Sequence, residues 1–200
     1  MRNYTKKKTA RYKEQNPEKV EKYLNEIKDI LPQKIAYADE SGIDTCLYRE
    51  YAYAPRGEKV TERISGRKFQ RTNIVAAKLG DKIIAPMQYK GTTDAPLFEH
   101  WFEQWLLPCL PEDTVIVMDN ASFHKKEKLF KIADKHHRKL IFLPPYSPEL
   151  NPIEIFWSVL KHWLKMHIRE FNSLDDAISA AFRNRLITHH TIQATPNRVK

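Results

Sequence analysis

Three acidic residues in this 200-residue sequence have positions that suit metal-ion chemistry. Asp39 follows the apolar run of residues 35–38, and Asp119 follows the apolar run of residues 115–118. Glu154 lies near a predicted helix start, and 79 and 34 residues separate the three acids. Because ligands of open α/β sheets bind beyond the carboxyl ends of parallel strands, we expect the two aspartates to lie side by side. Carboxylate oxygens favour Mg²⁺ or Mn²⁺, and two such ions can activate an attacking oxygen and stabilise a leaving one.

Each of these residues also has a simpler structural interpretation. An aspartate at a strand end often only forms a turn or caps a helix. Asn151 as cap, Pro152 at the first helical position and Glu154 at the third form a near capping box. A helix start favours an ionised carboxylate, so capping and metal binding are compatible in part. Lys161 lies nearly two helical turns beyond Glu154, where it could hold a phosphate or be an ordinary exposed lysine.

The charge of the chain is strongly positive and unevenly distributed. The formal net charge is +9, with +5 in residues 1–34, −3 in residues 35–120 and +6 in residues 121–169. A basic surface attracts polyanions, of which DNA is the commonest large one, although a solvated lysine face has the same composition. Together with three acids suited to metal, this charge favours phosphodiester chemistry on nucleic acid.

The composition indicates one cytoplasmic domain with an added arm. The hydrophobic fraction of 42% is sufficient for a core. Cys46 and Cys109 stand alone, without the spacing of a zinc site or a disulfide framework, which fits a reducing cytoplasm. The amino terminus is too polar for a signal peptide, and no apolar stretch approaches the roughly 20 residues that span a bilayer. We therefore expect no membrane association.

The periodicity of the sequence predicts an α/β domain with a mixed sheet. Asn16 and Pro17 begin a helix with an apolar stripe at Val20, Tyr23, Leu24, Ile27 and Leu31, which Pro32 stops. Asp94 caps a helix whose aromatic residues belong to the core. The predicted strands cover residues 35–39, 43–54, 73–79, 82–88, 114–119 and 140–143, with a loop at 55–70, and further helices cover 125–138, 152–168 and 174–187.

Three segments carry a resemblance to a known family. They are YADESG at residues 37–42, VMDNASFH at 117–124 and LPPYSPELNPIE at 143–154. They strongly resemble the catalytic blocks of bacterial insertion-sequence transposases related to the Tc/mariner group, which are DDE-superfamily endonucleases. The resemblance covers residues 35–170, and the third block is its most specific part. It implies a ribonuclease-H-like, mixed five-stranded sheet flanked by helices.

The resemblance also implies the residues and cofactors of the site. Asp39, Asp119 and Glu154 would be the catalytic, metal-binding triad, holding two Mg²⁺ ions with Mn²⁺ as a substitute. Asn120 and His124 would support the site, although either residue could be purely structural. The predicted phosphate contacts are Lys125, Lys126, Lys128, Lys161 and Lys165, any of which could instead be simply solvated.

The same resemblance implies the partners and the domain division. The expected substrates are double-stranded DNA at the element ends and at the target, bound by a homodimer or larger assembly. We divide the chain into a basic arm with an amphipathic helix at 1–34, a catalytic domain at 35–170, and a C-terminal helix and tail at 171–200. Family members carry helix-turn-helix modules before the catalytic domain. About 34 residues precede the first strand here, which suggests an upstream helix-turn-helix polypeptide or a frameshift fusion.

The leading hypothesis is therefore a DNA transposase catalytic domain that performs metal-dependent strand cleavage and strand transfer. One alternative is a catalytically inactive DNA-binding remnant, for which bound metal is the discriminating observation. Another alternative is a ribonuclease-H-like nuclease that acts on RNA–DNA hybrids or junctions, which competition between substrates would separate from a transposase.

Overall fold

A computed structural model of the chain describes residues 12–44, 56 and 71–183. Short 3₁₀ turns and one π-helical turn, Phe102–Leu106, join the longer elements. The strands are β1 Ile35–Asp44, β2 Arg71–Leu79, β3 Lys82–Tyr89, β4 Val115–Met118 and β5 Leu140–Phe142. The helices are α1 Pro17–Ile27, α2 Ala95–Trp101, α3 Lys126–Lys135, α4 Ile153–His167 and α5 Leu174–Arg183.

The described strands form one mixed sheet with the order β3-β2-β1-β4-β5. The strands β1, β2 and β3 form an antiparallel meander, and its hairpin turns at Gly80, which has the positive φ of 56° that this turn requires. The strands β4 and β5 are parallel to β1 and to each other. The predicted mixed five-stranded sheet is therefore confirmed.

The length of β1 differs from the prediction. It continues past Asp39 to Asp44, and the start of the predicted strand 43–54 is the end of β1. The reason is that the second half of β1 keeps a partner, because residues 39–44 pair with β2 after β4 has ended. Residues 45–54 of that predicted strand, and all but Arg56 of the predicted loop 55–70, lie outside the described residues.

Helices cover both faces of the sheet. Alternate residues of β1 point in opposite directions, so Ala36 and Ala38 pack toward α2 and α3, while Ile43 packs toward α4 and α5. The helix α1 covers β4 and β5 on the second face, where Tyr23 joins a cluster with Val117. The inward residues of α4 include Ile153, Trp157, Leu160 and Leu164, which are all buried.

The helix α1 begins as predicted and ends earlier. The Asn16 side chain accepts hydrogen bonds from the backbone N–H groups of Glu18 and Lys19, and Pro17 is the first helical residue. The helix stops at Ile27, before Pro32. Of its predicted apolar stripe, only Tyr23 is fully buried, while Leu24 and Leu31 are exposed. Fewer apolar side chains of this helix are therefore buried against the sheet than the sequence predicts.

The aromatic residues around α2 form the core on the first face. Phe98, Trp101 and Phe102 are buried, and the Trp101 indole N–H donates to the carbonyl of Ala85 at 2.8 Å. Ala85 has a positive φ of 48° at an irregularity in the β2–β3 pairing, a conformation that a residue with a Cβ rarely adopts. The indole thus provides a hydrogen-bond donor to the carbonyl of this irregular residue. No helix within residues 12–44 and 71–183 is long and apolar enough to cross a membrane.

Candidate active site

The three predicted acids line one pocket, whose volume is about 420 Å³. It lies where β4 ends, between the segment that follows β5 and the start of α4. A metal site shared by the three acids requires Glu154 to lie on the same side of the sheet as the two aspartates. Glu154 lines the same pocket as Asp39 and Asp119, so this requirement is met. The lining residues are Asp39, Asp119, Asn120, Ala121, Leu143, Pro144, Pro145, Tyr146, Ser147, Pro148, Asn151 and Glu154.

Asp39 lies within β1 and not at its end, which corrects the predicted placement. Its neighbour Ala38 pairs with Met118, the last residue of β4, so Asp39 is still level with Asp119. One carboxylate oxygen accepts from the backbone N–H of Glu40 at 2.9 Å, and the other accepts from the indole N–H of Trp157 at 3.1 Å. Burial, followed by the negative charges of Glu154 and Asp119, nevertheless raises the pKa of Asp39 to about 7.

Asp119 begins the turn after β4, and two nitrogen groups contact its carboxylate oxygen Oδ1. It accepts from the Ala121 N–H at 3.1 Å, and the His124 Nε2 lies 3.2 Å from Oδ1. Burial alone would raise the pKa of Asp119, but the hydrogen bonds from His124 and Ala121 outweigh burial and lower it. The paired aspartates thus have pKa values displaced in opposite directions, an arrangement that is frequent at functional sites.

His124 is a buried residue with a fixed ring. Its side chain is only 1% exposed, and its ring centroid lies 4.2 Å from that of Phe98 and 4.3 Å from that of Phe123. Its Nδ1 has no hydrogen-bond partner within the described ranges. His124 therefore contacts the Asp119 carboxylate through a ring that cannot turn freely, and its support of the site stays a prediction.

Glu154 does not form the capping box that its sequence context suggests. The helix α4 starts one residue later than that motif requires, with Pro152 at the cap position and no side-chain cap. Asn151 is buried, and its Oδ1 has no partner in the described part of the chain. The Glu154 backbone N–H bonds to the Asn151 carbonyl at 3.1 Å. Its side chain is exposed at the pocket, so the carboxylate is available to a ligand.

Asn120 joins two walls of the pocket. Its amide group donates to the Leu143 carbonyl, and its Oδ1 accepts from the Lys126 ammonium. It therefore connects the turn after β4 to the segment after β5.

The five predicted phosphate contacts fall into two groups. Lys125, Lys126 and Lys128 are exposed along the first turn of α3, where they line a groove together with Glu127 and Lys131. Lys126 also lies 4.8 Å above the Phe142 ring, and Lys128 pairs with the buried Glu99. Lys161 is exposed and Lys165 half-buried on α4, and neither belongs to the described lining of the pocket.

Three neighbours of the acids were not predicted as site residues. Glu40 lies beside Asp39 in a buried strand, where a charged residue is unusual and is itself a signal. Burial, followed by the charges of Asp39 and Asp119, raises the pKa of Glu40 well above its ordinary value. Trp157 looks like a core residue from its helical spacing, and no local pattern shows its bond to Asp39. Tyr146 has a positive φ of 57° and an exposed ring at the pocket wall.

The sequence was also compared with known families and proteins. The sequence model of the DDE superfamily endonuclease family matches residues 34–178. A chain called uncharacterized protein y4pE/y4sA, from Sinorhizobium fredii strain NBRC 101917 / NGR234, is 40% identical over 76 residues. That alignment covers 36% of this chain and 53% of the relative. The family match spans most of the sequence, so the chain belongs to the DDE superfamily endonucleases, as the three motifs predict.

Solved structures confirm the ribonuclease-H-like fold. The Mos1 transposase paired-end complex with left transposon end matches with a TM-score of 0.68 and 18% identity, over 90% of this chain and 58% of that chain. The mariner Mos1 paired-end complexes with Mg and with Mn both match with a TM-score of 0.62. Their identities are 18% and 17%, over 88% and 90% of this chain and 60% and 58% of theirs. The chain thus spans somewhat over half the length of the proteins that it matches.

Proposed function

We propose that this chain is the catalytic domain of a DNA transposase that cuts and joins DNA with divalent metal ions. The observation that carries the proposal is the convergence of Asp39, Asp119 and Glu154 on one pocket in a chain of this family. The Mos1 structures are described as complexes with a transposon end, with Mg and with Mn. Those descriptions apply to Mos1 and support the same substrate and metals here.

The residues present fit a divalent cation. All three side chains offer hard oxygen ligands, which Mg²⁺ and Mn²⁺ prefer. The neighbouring negative charges oppose ionisation of Asp39, and a divalent cation removes that repulsion. We propose that the three acids hold two ions. When bound, such ions supply Lewis-acid activation of the attacking oxygen and stabilise charge on the leaving oxygen.

The chain itself contributes position and charge. Hydrogen bonds from Trp157 and the Glu40 N–H fix the Asp39 carboxylate, and those from His124 and the Ala121 N–H fix Asp119. In the proposed first step, water attacks a phosphodiester at the element end and releases a strand with a 3′-hydroxyl group. In the second step, that hydroxyl attacks a phosphodiester of the target DNA, so one bond forms as another breaks.

The proposal extends to partners and location. We propose that the chain acts in the cytoplasm on double-stranded DNA, as a homodimer or larger assembly that joins two element ends. A helix-turn-helix module, supplied by an upstream polypeptide or a frameshift fusion, would provide recognition of those ends. The division at residues 34 and 170 remains a prediction. The described part of 171–200, α5, shares a core cluster with α4.

Nicking of inverted-repeat DNA by the Asp119→Asn variant tests the proposed function. Asparagine keeps an oxygen that can accept from Ala121 and His124, so the fold should persist, whereas the charge needed for metal is lost. We expect magnesium-dependent nicking to fall at least a hundredfold. Asp113→Asn is the matched control, because Asp113 pairs with Lys34 near the opposite end of β4. Undiminished nicking by Asp119→Asn would refute the metal-binding role of Asp119. If the wild-type protein prefers an RNA–DNA hybrid to inverted-repeat DNA, the result favours the nuclease alternative.

A further inference from the structure

Glu40 is an acidic residue that the proposed mechanism does not use. It follows Asp39 in β1 and therefore points to the opposite face of the sheet, toward α2 and α3. Its Oε1 is buried and has no hydrogen-bond partner within residues 12–44 and 71–183. Burying a carboxylate without a partner is unfavourable unless a proton, a hydrogen-bond donor or a cation compensates it. In its ionised form, this carboxylate therefore requires a donor or a cation.

The surroundings of Glu40 provide two further metal-ligating groups. Glu40, Asp119 and His124 each offer one ligand atom, and these atoms lie within 4.8 Å of one another. Ligands that share one ion at 2.0–2.3 Å lie about 3–4.5 Å apart, so small side-chain adjustments would close the set. The phenyl rings of Phe98 and Phe123 hold the imidazole in place, which makes that ligand rigid.

Two independent features indicate that this cluster lacks a bound group. The Glu40 carboxylate has its unpaired Oε1, and the almost fully buried His124 has an unpaired Nδ1. Buried polar atoms are satisfied in the great majority of cases, so two orphaned atoms in a single three-residue cluster require an explanation. A cation explains the carboxylate directly, because it replaces the missing donor.

We propose that Glu40, Asp119 and His124 form a second cation site, distinct from the pocket of Asp39 and Glu154, with Asp119 shared between the two. The donor set contains an imidazole as well as carboxylates. Imidazole favours first-row transition metals, whereas an all-oxygen set suits Mg²⁺. The site would therefore take a divalent transition metal such as Mn²⁺ in preference to Mg²⁺. This inference rests on the proposed function in one respect, namely that Asp119 also binds metal in the pocket.

The consequence is that the two sites are chemically different. The pocket of Asp39, Asp119 and Glu154 is open to solvent and would exchange its ions with bulk Mg²⁺. The site of Glu40 and His124 lies deeper, behind the Asp119 carboxylate, and would bind its ion more selectively. Occupancy of the second site would also fix the orientation of Asp119, so Glu40 would act on the reaction through this shared ligand.

Counting bound Mn²⁺ on the metal-free protein tests the inference. The electron paramagnetic resonance signal of free Mn²⁺ gives the number bound, and calorimetry gives each affinity. The wild-type protein should bind three Mn²⁺ ions, two in the pocket and one at the second site. We expect Glu40→Gln to weaken one of them by at least tenfold and to leave the other two, and Glu40→Asp to restore part of the loss. In the wild-type protein, excess Mg²⁺ should displace the two pocket Mn²⁺ ions more readily than the one at the second site. Glu112→Gln is the control, since this exposed residue lies near the opposite end of β4.

The possible outcomes separate the two proposals. If Glu40→Gln folds and binds all three ions with unchanged affinity, while Asp39→Asn loses at least one, the second site is refuted and the proposed function stands. If the wild-type protein binds no Mn²⁺, both proposals fail. If Glu40→Gln does not fold, His124→Gln provides the same test from the other side of the site. Loss of the Mn²⁺ that resists displacement by Mg²⁺ in His124→Gln supports the site, and retention of all three ions overturns it.

Discussion

Asp39 is almost completely buried and lies near the negative charges of Glu154 and Asp119. Both features oppose its ionisation, so the free energy of unfolding should depend on pH. Its pKa of about 7 in the folded state lies above the ordinary value of 3.8. Between these values the folded protein holds a proton that the unfolded chain has released. In the absence of metal, the free energy of unfolding should therefore fall as the pH rises from about 4 to 7, and Asp39 contributes at most about 4 kcal/mol to that fall.

Replacement of Asp39 by asparagine isolates this contribution. Urea unfolding in a chelating buffer at pH 5 and pH 8 should show Asp39→Asn gaining stability relative to the wild type at the higher pH. Asp29→Asn, a change at an exposed residue outside the site, should follow the wild type at both values. Parallel curves for Asp39→Asn and the wild type would mean that Asp39 is ionised throughout this range.

Trp157 provides a second test at a single residue. Its indole N–H bond favours the ionised form of Asp39 and so opposes the rise in that pKa. Trp157→Phe keeps an aromatic ring and removes the donor, so the pKa of Asp39 should rise further. Since a proton competes with the metal, Mn²⁺ binding at pH 7 should weaken about three- to tenfold and recover by pH 9. Titration of Mn²⁺ across this pH range measures the effect.

The control for this change lies on the same helix. Trp163→Phe alters an aromatic residue that packs against His167 and Phe171, away from the acids, and should leave the pH profile of binding in place. A loss of affinity in Trp157→Phe that is equal at pH 7 and pH 9 would indicate a packing effect and not a pKa effect.

The sequence was most informative about single residues whose motifs are contiguous. Asp39, Asp119 and Glu154 each lie in a conspicuous block, and the pocket unites them. Glu40 and Trp157 could not be assigned in the same way, because their roles depend on contacts across the fold. The bond between Trp157 and Asp39 joins residues 118 positions apart. Helical spacing alone explains a buried tryptophan and says nothing about where its N–H group points.

At the scale of elements, the segment before α1 contacts the wall of the candidate active site. Gln15 donates to the Ser147 hydroxyl at 2.9 Å and also contacts Glu149, and the Tyr12 ring lies 6.3 Å from the Tyr146 ring. The contacted segment follows β5 and leads into α4, which carries Glu154. The amino-terminal segment therefore braces the loop that positions the third acid.

Removal of this brace should loosen the loop without unfolding the domain. Gln15→Ala should cost about 0.5–1.5 kcal/mol of stability, as for the loss of a hydrogen bond. Amide hydrogen exchange at Tyr146, Ser147 and Glu149 should accelerate, while exchange in β4 remains slow. Hydrogen exchange measured by mass spectrometry gives both results. Lys13→Ala is the control, because Lys13 lies two residues earlier and its side chain is exposed; this variant should leave exchange unchanged. Equal protection of the loop in both variants would show that Gln15 does not stabilise it.

Element boundaries were predicted less well than element types. The predicted helix 125–138 is shorter in the structure, at Lys126–Lys135, and the described part of the predicted helix 174–187 ends at Arg183. The capping box at Asn151 was wrong because α4 starts later, and the side chain of Asn151 turns inward. Such boundaries depend on tertiary packing, which overrides local preferences of about 1 kcal/mol.

At the scale of the whole molecule, positive charge gathers beside the candidate active site. Residues 121–169 carry a net charge of +6, and four lysines line the groove on α3. Lys126 connects this groove to the pocket through Asn120, which lines the pocket. DNA whose phosphates contact the lysines of α3 would extend into the pocket that contains the three acids.

The salt dependence of DNA binding tests this path. Lys125 and Lys131 have no ion-pair partner in the described part of the chain, so each can release a counterion from a bound phosphate. Every phosphate contact contributes about 0.9 to the slope of log K against log salt concentration. The variant Lys125→Gln/Lys131→Gln should therefore lower the slope by up to about 2 in a fluorescence anisotropy titration on duplex DNA. Lys19→Gln/Lys22→Gln removes the same charge from exposed positions on α1 and should lower it little. An equal decrease in both variants would show that net charge, and not the α3 surface, governs binding.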